Sequence, residues 1–112
     1  MKQFRIRFNG GKQSVTFHVG DTEILTELDA AAYYDEHKKR RKRRGVFAHI
    51  YLPSMRSLKR AEFIELLTHE IHHFIDDWWR CRKGNVMDNN NEELRATLAG
   101  EIARKFWGKM GL

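Results

Sequence analysis

The chain opens with two short stretches in which apolar and polar residues alternate. Residues 4–8 read Phe-Arg-Ile-Arg-Phe, and residues 15–19 read Val-Thr-Phe-His-Val. Such alternation is typical of strands that bury one face. Asn9, Gly10 and Gly11 stand between the two stretches, and this composition favours a tight turn. The pattern predicts an N-terminal β-hairpin.

Two further segments follow the hairpin. An apolar spacing close to that of a helix predicts a helix over 22–34, capped by Asp21 or Thr22. Residues 46–52, Val-Phe-Ala-His-Ile-Tyr-Leu, read as a strand that Pro53 ends.

The remaining apolar pattern repeats with helical spacing. A long helix is predicted over 57–83, begun by a serine cap and stopped at Gly84, and a second helix is predicted over 91–107. The apolar face of the long helix comprises Phe63, Ile64, Leu67, Ile71, Phe74, Ile75 and Trp78, and that of the second helix Leu94, Leu98, Ile102 and Phe106. The expected fold class is therefore α+β, with a small, mostly antiparallel sheet made of the N-terminal hairpin and the edge strand 46–52, packed on the long helix.

Length and charge add an organisational prediction. A chain of 112 residues is predicted to form one domain, 1–112. Its net charge of +6 comes from a basic connector at 37–45, because without the consecutive basic residues there the chain has slightly more acidic than basic side chains. One interpretation is a solvated loop; the other is a contact with nucleic acid phosphates or an acidic protein. The run comprises Lys38, Lys39, Arg40, Arg41, Lys42, Arg43 and Arg44.

The long helix carries the sequence His-Glu-x-x-His at 69–73. Residues four apart share one face of a helix, so the imidazoles of His69 and His73 can bind one cation. Zinc takes nitrogen and oxygen ligands in a tetrahedron and, in catalytic sites, leaves one position for water. Glu70, beside the first histidine, is placed to accept a proton from that water. The motif predicts a catalytic zinc site.

A third ligand is expected from the second helix. Glu93 shares a stripe with the small residues Ala96, Thr97 and Gly100, which would let the two helices approach closely. Glu92 is the alternative, since it lies closer to the alanines of this helix. We prefer Glu93.

His-Glu-x-x-His followed by a glutamate on a later helix resembles the gluzincin metallopeptidases. It is especially similar to their very small single-domain relatives, the minigluzincins, and to short, often phage-encoded metallopeptidases that carry E-x-x-A-x-x-x-G where this chain has Glu93, Ala96 and Gly100. The resemblance covers roughly 58–106 and implies a zincin-like fold, a Zn²⁺ cofactor held by His69, His73 and Glu93, and peptidase activity. It departs at Thr97, where gluzincins often place an aspartate that orients a histidine.

The same resemblance implies that an extended peptide or protein substrate pairs with the edge strand of the sheet, across the metal. We expect strand 46–52 to be that edge. His49 and Tyr51 alternate with its apolar residues and are candidates for a donor that stabilises an oxyanion.

These observations lead to one function and one alternative. The first is zinc-dependent hydrolysis of peptide bonds, with water activated by zinc and Glu70. The alternative is a non-catalytic, zincin-derived binding module that acts through 38–44 on nucleic acid or an acidic protein. The single cysteine, Cys81, argues against disulfides and a cysteine-based zinc site. With no apolar run of about 18 residues and no signal-peptide pattern, we expect an intracellular, cytoplasmic protein without a membrane anchor.

Overall fold

The computed structural model describes residues 2–11, 13–20, 23, 25, 33–36, 48–83 and 89–111. Within these ranges the fold is α+β: a small mixed sheet with two long helices. The strands are β1 (Lys2–Phe8), β2 (Gln13–Val19), β3 (Tyr33–Glu36) and β4 (Ala48–Leu52), and the helices are α1 (Arg60–Lys83) and α2 (Asn89–Lys109).

The predicted hairpin is confirmed. β1 and β2 pair antiparallel, with Phe4 opposite Phe17 and Ile6 opposite Val15. The turn places Asn9 at φ 56° and Gly10 at φ 67°. Both angles lie in the left-handed region, which glycine and asparagine adopt most readily, and this explains the composition of the turn.

The position of strand 46–52 in the sheet was predicted wrongly. The strand order is β1-β2-β4-β3, so β4 is interior: it pairs parallel with β2 and antiparallel with β3. Two of the three pairings are antiparallel, as expected, but the edge beside β4 belongs to β3. Alternation of apolar and polar residues shows which face of a strand is buried, but it does not show which strands lie beside it. The strand order therefore could not be predicted from the sequence.

β3 also corrects the predicted helix over 22–34. Glu23 and Leu25 are helical, but Tyr33 and Tyr34 lie in the strand that pairs with β4. Tyrosine has a strong preference for strands, and pairing with a neighbouring strand outweighs weak helical periodicity at a segment's end. The rest of that predicted helix lies outside the described residues.

The core lies between one face of the sheet and the two helices. It is dominated by aromatic rings: Phe106 of α2 lies 5.0 Å from Phe17 and 5.5 Å from Phe4, centroid to centroid, and 6.1 Å from Phe63 of α1. The buried members of the core are Ile6, Phe8, Val15, Phe17, Val19, Ala48, Ile50, Leu52, Phe63, Leu67, Ile71, Phe74, Ile75, Trp78, Trp79, Leu98, Ile102 and Phe106.

Both predicted helices are present with small differences. α1 starts at Arg60 because residues Met55–Ser57 form a separate 3₁₀ turn, where Ser54 accepts a hydrogen bond from the Arg56 amide. Two residues assigned to apolar faces, Ile64 and Leu94, are 41% and 45% exposed. They lie at the borders of the buried stripes, where periodicity is least informative. Neither helix of the described chain has the length and apolar composition needed to cross a bilayer.

Candidate metal centre

α1 brings the two motif histidines into direct contact. Their Nε2 atoms lie 3.0 Å apart, and the rings meet edge to face with centroids 4.5 Å apart. Both side chains are exposed. In this contact one ring nitrogen donates a hydrogen bond and the other accepts it. The arrangement brings two ring nitrogens close together on one face of α1.

Glu70 lies on the buried side of the same turn. It is 7% exposed, and it is one of four buried polar residues among those described. Burial raises the pKa of the Glu70 carboxyl above its usual value, and the neighbouring His69 and His73 partly oppose that rise. A carboxylate with a raised pKa is a better proton acceptor near neutral pH. Sequence spacing predicted the residue, but its burial is visible only in the fold.

The histidine pair fits a tetrahedral cation. Two nitrogens each about 2.0–2.1 Å from zinc at a tetrahedral angle are roughly 3.3 Å apart. The observed separation of the His69 and His73 Nε2 atoms, 3.0 Å, is close to that value. These two side chains therefore can bind one metal ion without a change of backbone.

The structure does not bring a third ligand to this pair. Across the described ranges, no three His, Cys, Asp or Glu side chains come close enough to hold a metal ion. Glu92 and Glu93 are both exposed near the start of α2, and the Glu93 carbonyl accepts a hydrogen bond from the Thr97 hydroxyl. The ligand role of Glu93, with Glu92 as the alternative, stays a prediction.

The small residues of α2 have a different role from the one predicted. Around Gly100 there is open space, since a Cβ atom added there meets no atom within 4 Å. These residues therefore do not bring the helices into close contact at this position. Instead they form one wall of a cavity of about 420 Å³ between α1 and α2. Its lining consists of Thr68, Ile71, His72, Ile75 and Asp76 from α1, and Glu92, Arg95, Ala96, Ala99, Gly100 and Ala103 from α2.

A polar contact at this cavity joins the two helices. Arg95 donates to Asp76 at 3.0 Å, and the Nε2 atom of His72 lies 3.2 Å from the second oxygen of Asp76. The sequence pattern did not predict this contact. The opposite charges of Asp76 and Arg95 were visible, but helical spacing within one element cannot show which residues meet across two. His72 points away from the His69–His73 pair, as expected.

His49 and Tyr51 lie on the other face of the sheet. Ala48, Ile50 and Leu52 of β4 belong to the core beneath α1, and alternation turns the residues between them to the opposite side. There the His18 ring stacks on Tyr51 at 4.4 Å, and His18 Nε2 lies 2.7 Å from His49 Nδ1. The structure does not bring His49 or Tyr51 to the histidine pair, and this placement counts against their predicted role at an oxyanion.

The basic run Lys38–Arg44 lies outside the described residues, so its predicted contacts stay a prediction. Comparisons with known proteins add no relative: no family model, no curated protein and no solved structure matches this chain.

Proposed function

We propose that this protein is a zinc-dependent peptidase. One observation carries the proposal: the His69 and His73 Nε2 atoms converge at 3.0 Å beside a buried carboxyl, Glu70, whose pKa is raised. Two neutral imidazoles supply metal ligands, and a carboxylate that is a good proton acceptor supplies a general base. Burying a carboxyl between two surface histidines costs free energy, and packing alone does not explain that cost.

In this proposal His69, His73 and Glu93 would hold zinc. Bound zinc would acidify water and polarise the carbonyl of the substrate. Glu70 removes a proton from the attacking water and delivers it to the amine that leaves. Its buried position keeps the carboxylate poorly hydrated, so the proton transfer does not require removal of a full water shell.

The substrate position follows the sheet order. Since β4 is interior, we place an extended peptide along β3, which in the described chain has a hydrogen-bonded neighbour on one side only. Unpaired backbone groups at a sheet edge bind an added strand through main-chain hydrogen bonds. α1 packs against both β3 and β4, so this edge lies on the helix that carries the motif.

Two measurements on purified protein test the proposal: zinc content by elemental analysis, and hydrolysis of casein or unstructured peptides. His73→Ala should lose zinc, because it removes one of about three protein ligands. The matched control is His72→Ala, on the same turn, whose side chain is 72% exposed and pairs with Asp76 instead. It should retain zinc.

Glu70→Gln separates metal binding from chemistry. Its zinc content should equal that of wild type while hydrolysis falls about 10²–10⁴-fold, the usual contribution of a positioned acid–base group. Glu93→Ala and Glu92→Ala then identify the third ligand, because only the ligand variant should lose zinc. The proposal is wrong if His73→Ala and His72→Ala contain equal amounts of metal.

The seven consecutive basic residues at 38–44 favour a second candidate. This is a zincin-derived binding module that acts without catalysis through 38–44. It predicts that wild type and Glu70→Gln behave alike in every peptidase assay, and that removal of metal leaves partner binding unchanged.

A further inference from the structure

A second groove lies far from the motif, between the outer edge of β1 and the last turns of α2. It encloses about 510 Å³. Most of the residues that line it are basic. The others are Ile6, which is buried, and Gly108, which has no side chain. We call it the basic groove; its lining is Arg5, Ile6, Arg7, Arg104, Lys105, Gly108 and Lys109.

The ammonium group of Lys105 already has two hydrogen-bond acceptors within the protein. Its Nζ donates to the Arg7 carbonyl at 2.8 Å and to a Glu101 oxygen at the same distance. The hydrogen bond from Lys105 holds the pKa of Glu101 below its usual value, so this carboxylate stays charged and neutralises Lys105. Glu101 is therefore the local counter-charge: it is hydrogen-bonded to Lys105, and it also attracts Arg104 at longer range.

The helix end does not supply negative charge either. The C-terminus of a helix is partially negative and would repel an anion. Here Lys2 donates from its Nζ to the Lys109 carbonyl at 2.6 Å, and Lys109 itself lies in the last turn. These two ammonium groups offset the helix end.

The other four cations of the groove form no close ion pair in the described part of the chain. Arg5, Arg7, Arg104 and Lys109 are exposed, and none has a carboxylate within ion-pair distance in the part of the chain that the structure describes. Four like charges around one concave surface repel each other, and an anionic partner would relieve that repulsion.

We propose that the basic groove binds the sugar–phosphate backbone of a nucleic acid without reading its sequence. Arg5 and Arg7, two residues apart on a strand, are spaced by about 7 Å, and a nucleic acid strand carries a phosphate about every 3.4 Å along its axis. A strand lying along β1 can therefore bring phosphates to both Arg5 and Arg7, with Arg104 and Lys109 on the α2 side of the groove. The lining contains no aromatic side chain on which a base could stack.

A membrane surface fits this groove less well. It is concave rather than flat, and the two large apolar side chains exposed in the described chain, Ile64 and Leu94, are not part of its lining. Peripheral membrane binding usually combines basic residues with inserted apolar ones. The groove does not include the histidine pair, so the inference does not depend on the proposed peptidase activity.

The test is fluorescence anisotropy with labelled single-stranded and duplex DNA of about 20 nucleotides, titrated at several salt concentrations. The groove variant is Arg5→Gln/Arg7→Gln/Arg104→Gln. Its charge-matched control is Arg56→Gln/Lys59→Gln/Arg60→Gln, three exposed cations just before and at the start of α1. The groove variant should bind at least about tenfold more weakly at low salt, and the slope of log affinity against log salt should fall by about 2–3. The control should keep the wild-type slope.

Three results would overturn the proposal. Equal losses in the groove and control variants would mean that net charge alone drives binding. Loss of all binding on replacing Arg40, Arg41, Arg43 and Arg44 by Ser, with none in the groove variant, would assign binding to 38–44. Tighter binding of wild type to phosphatidylserine vesicles than to DNA would assign the groove to membranes.

Two further measurements control for instability and for aggregation of the groove variant. Arg104→Glu alone changes only an exposed helical side chain, so it repeats the experiment if the triple variant is unstable. Light scattering checks whether the cations only guard the exposed edge of β1 against aggregation, a common role of basic residues on edge strands. A groove variant that aggregates while its soluble fraction binds DNA as wild type does would also refute the proposal.

Discussion

Glu70 experiences two opposing effects at once. Burial disfavours its ionised form, whereas the adjacent imidazoles of His69 and His73 favour it, and burial is the larger effect. A carboxyl in this position costs stability whenever it is ionised and no metal or imidazolium charge compensates. Such a cost is expected of a group retained for chemistry rather than for packing.

This imbalance has a pH signature in metal-free protein. Because the pKa of Glu70 is raised in the folded state above its usual value of 4.5, its contribution to stability is complete below that value and is lost as pH rises through the folded-state pKa. Gln cannot ionise. In EDTA, Glu70→Gln should therefore match wild type near pH ~4 and be the more stable of the two near pH ~8, measured by urea unfolding followed by tryptophan fluorescence.

Glu65→Gln, an exposed change on the same helix, controls for removal of a negative charge from α1. A wild-type protein that is more stable than Glu70→Gln near pH ~8 would contradict the assignment of burial as the dominant effect.

Two glycines predict opposite outcomes of the same substitution. Gly100 is in the interior of α2 with open space around it, so Gly100→Ala should stabilise the protein by about 0.5–1 kcal/mol through helix propensity. Gly10 has φ +67°, so Gly10→Ala should destabilise it by about 1 kcal/mol although it also meets no atom. Thermal unfolding measures both; a lower melting temperature for Gly100→Ala would mean that the cavity wall is more crowded than described.

At the scale of elements, one ring of α2, that of Phe106, contacts three other elements of the fold. Phe106 is fully buried, and it contacts aromatic rings from β1, β2 and α1. Phe106→Ala removes those contacts and leaves a cavity, so it should cost about 3–5 kcal/mol.

The control for that change is Ile64→Ala, which removes an apolar side chain that is 41% exposed and should cost less than about 1 kcal/mol. Equilibrium urea unfolding gives both values. Similar losses in the two variants would show that α2 does not depend on the aromatic cluster.

Over the whole molecule, the sequence predicted elements better than their arrangement. The hairpin could be recognised because its turn and both alternating strands are contiguous, and α1 and α2 because their apolar stripes are long. The order of the strands could not, since β4 pairs with the distant β2 and with β3, whose first residues had been assigned to a helix. Ile64 and Leu94 were misassigned because a stripe's width depends on what packs against it.

At the candidate site, too, the sequence predicted contacts within one helix but not contacts between elements. His69, Glu70 and His73 are contiguous on one helix, so spacing alone brings the imidazoles together. A ligand from α2 depends on the rotation and offset of two helices, and the Asp76–Arg95 contact shows that this geometry is set by pairs that spacing does not predict. His49 and Tyr51 were expected to face the cleft because alternation separates two faces without saying which one a helix covers.

The parallel pairing of β2 with β4 has a consequence for how the chain reaches this structure. The β1–β2 hairpin closes through a short turn, whereas the contacts of Val15 with Ala48 and of Lys2 with Lys109 join residues far apart in sequence. Local contacts form in microseconds, and loop-closure entropy delays the distant ones. We expect Ile6→Val, in the hairpin, to slow refolding in stopped-flow experiments, and the equally buried Ile102→Val, in α2, to accelerate unfolding instead. The hairpin would then be the nucleus, and α2 would reach its place only after the strands against which it packs had been assembled.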